Sequence, residues 1–494
     1  MSRRKPIFYS ALMLTGVNLL LRFVGTSFQV YLSGQIGAAG IGLLQLVMSV
    51  GSLAMVAGMG GIRTGTMYLT AEELGRNRPH NVIWVLSGCI LYSILFSFSI
   101  SMLLYLFAPQ IAEYWIGNRQ SEVALRLYAA FLPCVCLCGV MTGYFTGANR
   151  IGTLAVVEVA EQLISMMITM SALRFWGGHS SIRACLCVIL GSSLGACLTI
   201  CCLVILRLRE RSETGKPIPV GRRLCQTALP LAIADDLRTG ISTVENLMVP
   251  KRLSLCTLVA DPLAAFGTVS GMVFPVLMFP ACILYGLAEL LIPELARCNA
   301  AENKGRISYL VHRSLKVAML YGLVFCGLIY LLSEELCLSL YRSCEAGYYL
   351  RLYSLLIPML YCDAITDAMT KGLGQQKICV RYNILTNFLD VALLYLLLPK
   401  YGMIGYFFSF LVTHLLNFFL SLRRLLKITG EHIPVYVPVL SMLSMGAAIW
   451  LVSYAGNPGL QAISYPIILA CLLTLLRITG KEDVLWLKKL ILRQ

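Results

Sequence analysis

LCQTALPLAIADDLRTGISTVENLMVPKRL, residues 224–253, is the stretch on which the fold class turns. Its run from Leu224 to Val249 is apolar and long enough to cross a bilayer, for which roughly 20 helical residues suffice. Yet Asp235, Asp236 and Arg238 lie near its middle, with Glu245 further along. An ionised group at the centre of a membrane helix costs about 2.5–3.5 kcal/mol, so these side chains should face protein or water rather than lipid. Two readings follow. The charges neutralise one another as a structural cluster, or they form the polar wall of a cavity inside a helical bundle.

The rest of the chain has the same character. It has 494 residues, 58% hydrophobic and only 13% charged, with a mean hydropathy of +0.77. A soluble chain carries about a quarter charged residues, so the composition predicts an all-α, polytopic membrane protein. The net charge of +16 does not point to nucleic acid, because the basic residues fall in alternate loops rather than on one soluble domain. The 19 cysteines lie mostly inside apolar runs, and no paired Cys-x2-Cys motif suggests a metal site. They read as small buried hydrophobes.

Counting outward from residues 224–253, the chain predicts about fourteen crossings. The first runs over 7–32, and its apolar run is too long for a signal peptide. Crossings two to six lie near 40–61, 82–107, 123–146, 154–175 and 183–206. Crossings eight to fourteen lie near 264–292, 307–332, 346–370, 378–398, 402–425, 434–455 and 459–477. Lys and Arg concentrate in the loops on the side of both termini, which places both termini in the cytoplasm of a multi-pass cell-membrane protein. The basic segment RLRERSETGKPIPVGRR (207–223) is the longest hydrophilic connector. The expected organisation is therefore an N-terminal lobe over 1–206, a cytoplasmic connector over 207–223, and a C-terminal lobe over 224–426. Two further crossings and an amphipathic surface tail complete it over 427–494.

An internal repeat supports two related lobes. GYFTGANR (143–150) precedes a stretch with Glu158 and Glu161; TKGLGQQK (370–377) precedes one with Asn387 and Asp390. At an offset of 227, Gly147 matches Gly374, Asn149 matches Gln376 and Arg150 matches Lys377. A proline, Pro133 or Pro358, leads into each copy, and each half opens with a deep arginine, Arg22 or Arg238. Repeats of this kind are common among secondary transporters, which bind substrate between them.

Several stretches resemble the stage V sporulation protein B family: Arg22-Phe-Val-Gly25, VYLSGQIGAAGIGLLQLV (30–47), NLMVPKRL (246–253) and SGMVFPVLMFPACILYGLAELLIPELA (270–296). This is the polysaccharide-exporter branch of the MOP flippase superfamily, which also holds MATE exporters and lipid II flippases. The resemblance implies a two-lobed, V-shaped bundle that translocates an undecaprenyl-diphosphate-linked saccharide or peptidoglycan precursor by alternating access. Family members often carry further arginines along the first helix; this chain has Gln29 and Gly34 there, leaving Arg22 as its deep cation.

The chemistry suits such a substrate. A lipid diphosphate carries charges that must cross the apolar core, and arginine presents a permanently charged fork to phosphate oxygens. Arg22 and Arg238 are the candidate substrate-binding residues, with Arg63 a third near the inner end of the second crossing. Asp235 and Asp236, with Asn387 and Asp390, are candidate ligands for a coupling ion, Na+ or H+; lipid II flippases are similar in placing a sodium site between the seventh and eleventh crossings. Asp363 and Asp367, and Glu158 and Glu161, are alternative proton carriers, and His414 and Asn417 read as hydrogen-bonding groups between helices. No metal beyond a monovalent cation, no organic cofactor, no nucleic acid and no enzymatic activity is expected: the chain has no GxxxxGK[ST] loop, and no Ser–His–acid grouping is expected in a cavity. The expected partners are the lipid-linked precursor and membrane lipids, and a monomer is expected. The runner-up is a cation-coupled multidrug exporter of the MATE type, whose cationic substrates would favour carboxylates and aromatic rings. A membrane glycosyltransferase is a third reading, and the short loops count against it.

Overall fold

A computed structural model describes residues 4–76, 78–177, 180–209, 220–431, 434, 436–454 and 456–480. Most of the 207–223 connector and the tail from 481 onward lie outside the described residues. Every regular element among the described residues is helical. Nine helices are long and apolar enough to cross a membrane, ten if the bent pair Pro262–Met278 and Ala281–Ala300 is one span.

Two of these helices each hold two of the expected crossings. In α1 (Arg4–Met59) the backbone leaves helical geometry at Gly37, and in α14 (Gln376–Thr429) at Gly402. Their φ values of 68° and 57° are open to glycine and strained for other residues. α2 (Ile62–Gly75) then continues the second crossing. α3 (Val82–Gln110), α4 (Ser121–Gly147), α5 (Ile151–Ala172) and α6 (Ser181–Leu208) follow the expected order. α7 (Gly221–Leu253) has a span's length but carries more charge than an apolar span.

The eighth crossing is assembled from α8 (Pro262–Gly267), a π-helical turn (Thr268–Val273), α9 (Phe274–Met278) and α10 (Ala281–Ala300). α11 (Lys304–Tyr341) is continuous. The tenth divides into α12 (Cys344–Ser354) and α13 (Ile357–Gly372), interrupted just ahead of Pro358, whose ring and missing N–H disfavour a continuous helix. α15 (Tyr436–Ser453) and α16 (Pro458–Leu475) end the described chain of helices.

The helices gather into two compact units. The first comprises residues 1–271 and 391–405, the second 272–390 and 406–494. In the first unit, α4 packs on α2 through small residues. A Cβ on Gly143 would overlap the Arg63 carbonyl, and one on Gly147 the Met67 carbonyl. In the second unit, Gly322 receives Pro358 and Gly327 receives the Tyr465 ring, whose hydroxyl donates to the Leu323 carbonyl at 2.7 Å.

The internal repeat is present, at an offset of 225 rather than 227. The C-terminal turns of α4 and α13 make the same backbone hydrogen bonds. Ala148, Asn149 and Arg150 N–H groups donate to Tyr144, Thr146 and Phe145, as those of Leu373, Gly374 and Gln375 donate to Met369, Lys371 and Thr370. The left-handed residue of each turn is Asn149 (φ 60°) or Gly374 (φ 78°). The offset of 227 matched glycines that occupy different places in the turn. At 225, LRLYAAFLP (125–133) aligns with LRLYSLLIP (350–358). The side chains repeat as well: Arg126 lies 5.1 Å from the Tyr105 ring centroid, and Arg351 lies 4.6 Å from that of Tyr330.

Candidate functional site

α7 is held to its neighbours at both ends and in the middle, all within the first unit. At its start Arg223 donates to Glu73 at 2.8 Å and to Glu72 at 2.7 Å. Glu73 is only 1% exposed and also accepts from the Asn81 amide at 2.9 Å. Gly61 allows the close approach, since a Cβ there would overlap the Ala228 carbonyl. Near mid-helix, Thr243 donates to the Ser49 carbonyl (3.1 Å) and Asn246 to the Ser49 hydroxyl (3.0 Å). At the far end Lys251 donates to the Tyr114 carbonyl. Arg252 lies 3.7 Å from the Tyr395 ring centroid and donates to that residue's carbonyl at 2.8 and 3.1 Å.

Between these anchors lie the charges that sequence singled out. Asp235 and Arg238 are exposed and Asp236 is half-buried, with its Oδ1 buried and lacking a hydrogen-bond partner. Among the described residues neither aspartate pairs with Arg238, so the cluster does not neutralise itself. Arg22, on the first segment of α1, is exposed and likewise makes no ion pair among the described residues. Arg63, at the start of α2, is exposed and within electrostatic reach of Glu158 on α5. The three candidate arginines thus belong to one unit, and each presents its guanidinium outside the packed core. An arginine in an apolar span with no protein anion requires water or an anionic ligand.

The second unit holds a compact polar site around Asp390, which is 8% exposed. Ser409 donates to its Oδ1 at 2.6 Å and Thr413 to the same oxygen at 3.3 Å. Both hydroxyls lie on the segment of α14 after Gly402, one turn apart. Tyr353, fully buried among Phe274, Tyr406, Phe407 and Phe410, has a hydroxyl with no hydrogen-bond partner and lies within electrostatic reach of Asp390. Asn387, one turn before Asp390, is half-buried. A carboxylate beside hydroxyl and amide oxygens in a water-poor setting is a donor set suited to a hard monovalent cation or to a proton.

The other carboxylates have their own company. Asn417 donates to Asp363 at 3.2 and 3.4 Å, and Lys371 pairs with Asp367 at 2.6 Å. His414 lies against Phe410, with 4.0 Å between ring centroids and the rings tilted by 41°. Glu158 and Glu161 are half-buried on α5. Among the described residues no group of three or more His, Cys, Asp or Glu gathers to hold a metal ion.

Sequence reasoning missed Ser409, Thr413 and Tyr353, and the Arg223–Glu72–Glu73–Asn81 network. The first pair was signalled weakly, by hydroxyls four apart in an apolar run. The network was signalled better, by two adjacent glutamates and a later arginine pair, Arg222 and Arg223, flanking apolar helices.

The MatE family model matches residues 15–171 and 252–396. Stage V sporulation protein B of Bacillus subtilis (strain 168) is 19% identical over 415 residues, covering 81% of this chain and 80% of that protein. Sporulation protein YkvU of the same organism is 21% identical over 277 residues, 54% of this chain and 61% of that protein. Among solved structures, the lipid II flippase MurJ in an inward closed conformation is similar with a TM-score of 0.71 at 12% identity, covering 94% of this chain and 98% of that one. A multidrug resistance MATE family transporter in an inward-facing conformation has a TM-score of 0.67 at 14% identity, covering 85% of this chain and all of the other.

Proposed function

The chain belongs to the MatE family, and from that premise we propose that this multi-pass membrane transporter is a flippase for an undecaprenyl-diphosphate-linked saccharide or peptidoglycan precursor. The observation that carries the reading is the set of exposed arginines, Arg22, Arg63 and Arg238, of which Arg22 and Arg238 lack a protein anion among the described residues. Arg22 and Arg238 jointly take the diphosphate, with Arg63 assisting. The names of the similar proteins support the substrate class: one is a lipid II flippase, and two are sporulation proteins. Movement is coupled to a monovalent cation or a proton held at Asp390, with Asn387 one turn away; Asp235 and Asp236, in the first unit, are a separate candidate pair. The protein acts as a monomer, with both termini in the cytoplasm.

The test is a leaflet-resolved translocation assay in proteoliposomes with defined undecaprenyl-diphosphate saccharides. Charge-assisted hydrogen bonds contribute about 1.5–3 kcal/mol each, so Arg22→Ala or Arg238→Ala should weaken substrate binding by about ten- to a hundredfold. The lysine variants keep the charge and lose the fork, and should retain partial transport. Expression and thermal stability are measured in the same membranes. Normal transport by a well-folded Arg22→Ala, Arg238→Ala protein would end the reading. Export of cationic drugs without any lipid translocation would replace it with the multidrug alternative, which the likeness to a MATE transporter keeps in view.

A further inference from the structure

A cavity of about 440 Å³ opens in the first unit beside α1 and the end of α5, lined by Tyr31, Gln35, Met170, Ser171, Arg174 and Phe175. Its size falls within the range of small-ligand sites, about 300–1,000 Å³. α5 here gives way to a π-helical turn, Leu173–Gly177, a geometry that recurs at functional sites. The turn is fixed on one side: Leu173 packs with Ile36 and Ile182 against the buried cluster of Leu32, Ile41 and Cys185. Its next two residues, Arg174 and Phe175, are left exposed. Among the described residues Arg174 forms no ion pair.

The second half of the chain differs at the equivalent place. There the corresponding helices are α7 and the first segment of α14, and the chain closes that place itself. Arg252 lies against the Tyr395 ring and bonds its carbonyl. Beside α1 and α5 no such contact is made among the described residues, and the guanidinium, the amide, the hydroxyl and two aromatic rings line a cavity. A guanidinium with amide and hydroxyl donors suits a phosphate, and flat aromatic faces suit the apolar face of a sugar ring.

We propose that this cavity is a binding site for a phosphate-bearing sugar headgroup, with Arg174, Gln35 and Ser171 on the phosphate and Tyr31 and Phe175 on the sugar. It rests on the flippase reading for its physiological ligand: on the topology with cytoplasmic termini, the first segment of α1, up to Gly37, and α5 both end here on the outer side, where a translocated headgroup emerges. The same chemistry is offered by the headgroup of a bulk anionic lipid, and the experiment separates the two sources.

The full-length protein is placed in nanodiscs of phosphatidylcholine, and binding of N-acetylglucosamine 1-phosphate is followed by saturation-transfer NMR beside N-acetylglucosamine and inorganic phosphate. The sugar phosphate should bind more tightly than either fragment. Arg174→Gln should weaken it about tenfold, Arg174→Lys should restore part of the loss, and Gln35→Leu should weaken it to a smaller extent. Equal binding to wild type and to Arg174→Gln of unchanged melting temperature would overturn the proposal. So would full displacement of the probe by phosphatidylglycerol at its membrane abundance, which would give the cavity to bulk lipid. Translocation is measured separately. Probe binding that depends on Arg174 in a protein that moves no undecaprenyl lipid would leave the cavity standing and remove the flippase reading. Translocation without such binding would do the reverse.

Discussion

Asp390 receives two hydroxyl donors on one oxygen, Ser409 and Thr413, and is nearly sealed from solvent. Asp390→Asn keeps an acceptor oxygen for both hydroxyls, so the fold should survive while the charge is lost. If Na+ is the coupling ion, the wild type should melt higher in NaCl than in choline chloride, by about 2.7 kcal/mol of added stability at a hundredfold excess over its dissociation constant. Asp390→Asn should show no such rise. A rise of full size in the variant would remove Asp390 from coupling; no rise in the wild type, with transport that follows the pH gradient, would make the ion a proton. Asp390 was legible in the sequence as a carboxylate stranded in an apolar run. Its partners were not, because they meet it only after the chain reverses near Gly402, and no local period joins residue 390 to residues 409 and 413. The arginines were legible for the opposite reason: a cation in a membrane span is conspicuous whatever surrounds it.

Elements are pinned by a few contacts that differ sharply in burial. Arg223→Ala leaves the buried Glu73 with its hydrogen bond from Asn81 and the more distant charge of Arg76, and should cost about 3 kcal/mol in detergent unfolding. Glu72→Ala should cost under about 1 kcal/mol, because Glu72 is more exposed and Arg223 keeps its bond to Glu73. Equal losses would show that the buried carboxylate is not the anchor of α7. The two breaks in the long helices invite a second comparison. Gly402→Ala must adopt a positive φ with its Cβ 3.1 Å from Val259, and should lose about 1–3 kcal/mol. Gly446→Ala, on α15 with nothing within 4 Å of the new Cβ, should gain up to about 1 kcal/mol of helix propensity. A neutral Gly402→Ala would mean that the break relaxes freely. Helix order was readable from hydropathy alone, since each crossing is an apolar run between polar loops. The repeat register was read two residues out, because isolated glycines were matched where a proline-bearing block, LRLY ahead of Pro133 and Pro358, defined it.

For the molecule as a whole, topology is the property that connects residues to transport. Single cysteines placed in a background lacking the native ones should label at residue 215 only after the membrane is permeabilised, the outcome that the positive-inside rule predicts for a basic connector. Labelling at 215 from outside intact cells would invert every assignment of side made above. The paired arginine and tyrosine, Arg126 with Tyr105 and Arg351 with Tyr330, carry one more implication. On the fourteen-crossing reading the two copies are offset by six crossings, an even number, so both should enter the bilayer from the same side. An inverted duplication would have needed an ancestor able to insert either way round. A parallel repeat asks less: a half-length product that always inserts in one sense can be fused to its own copy with no change of loop charge at all.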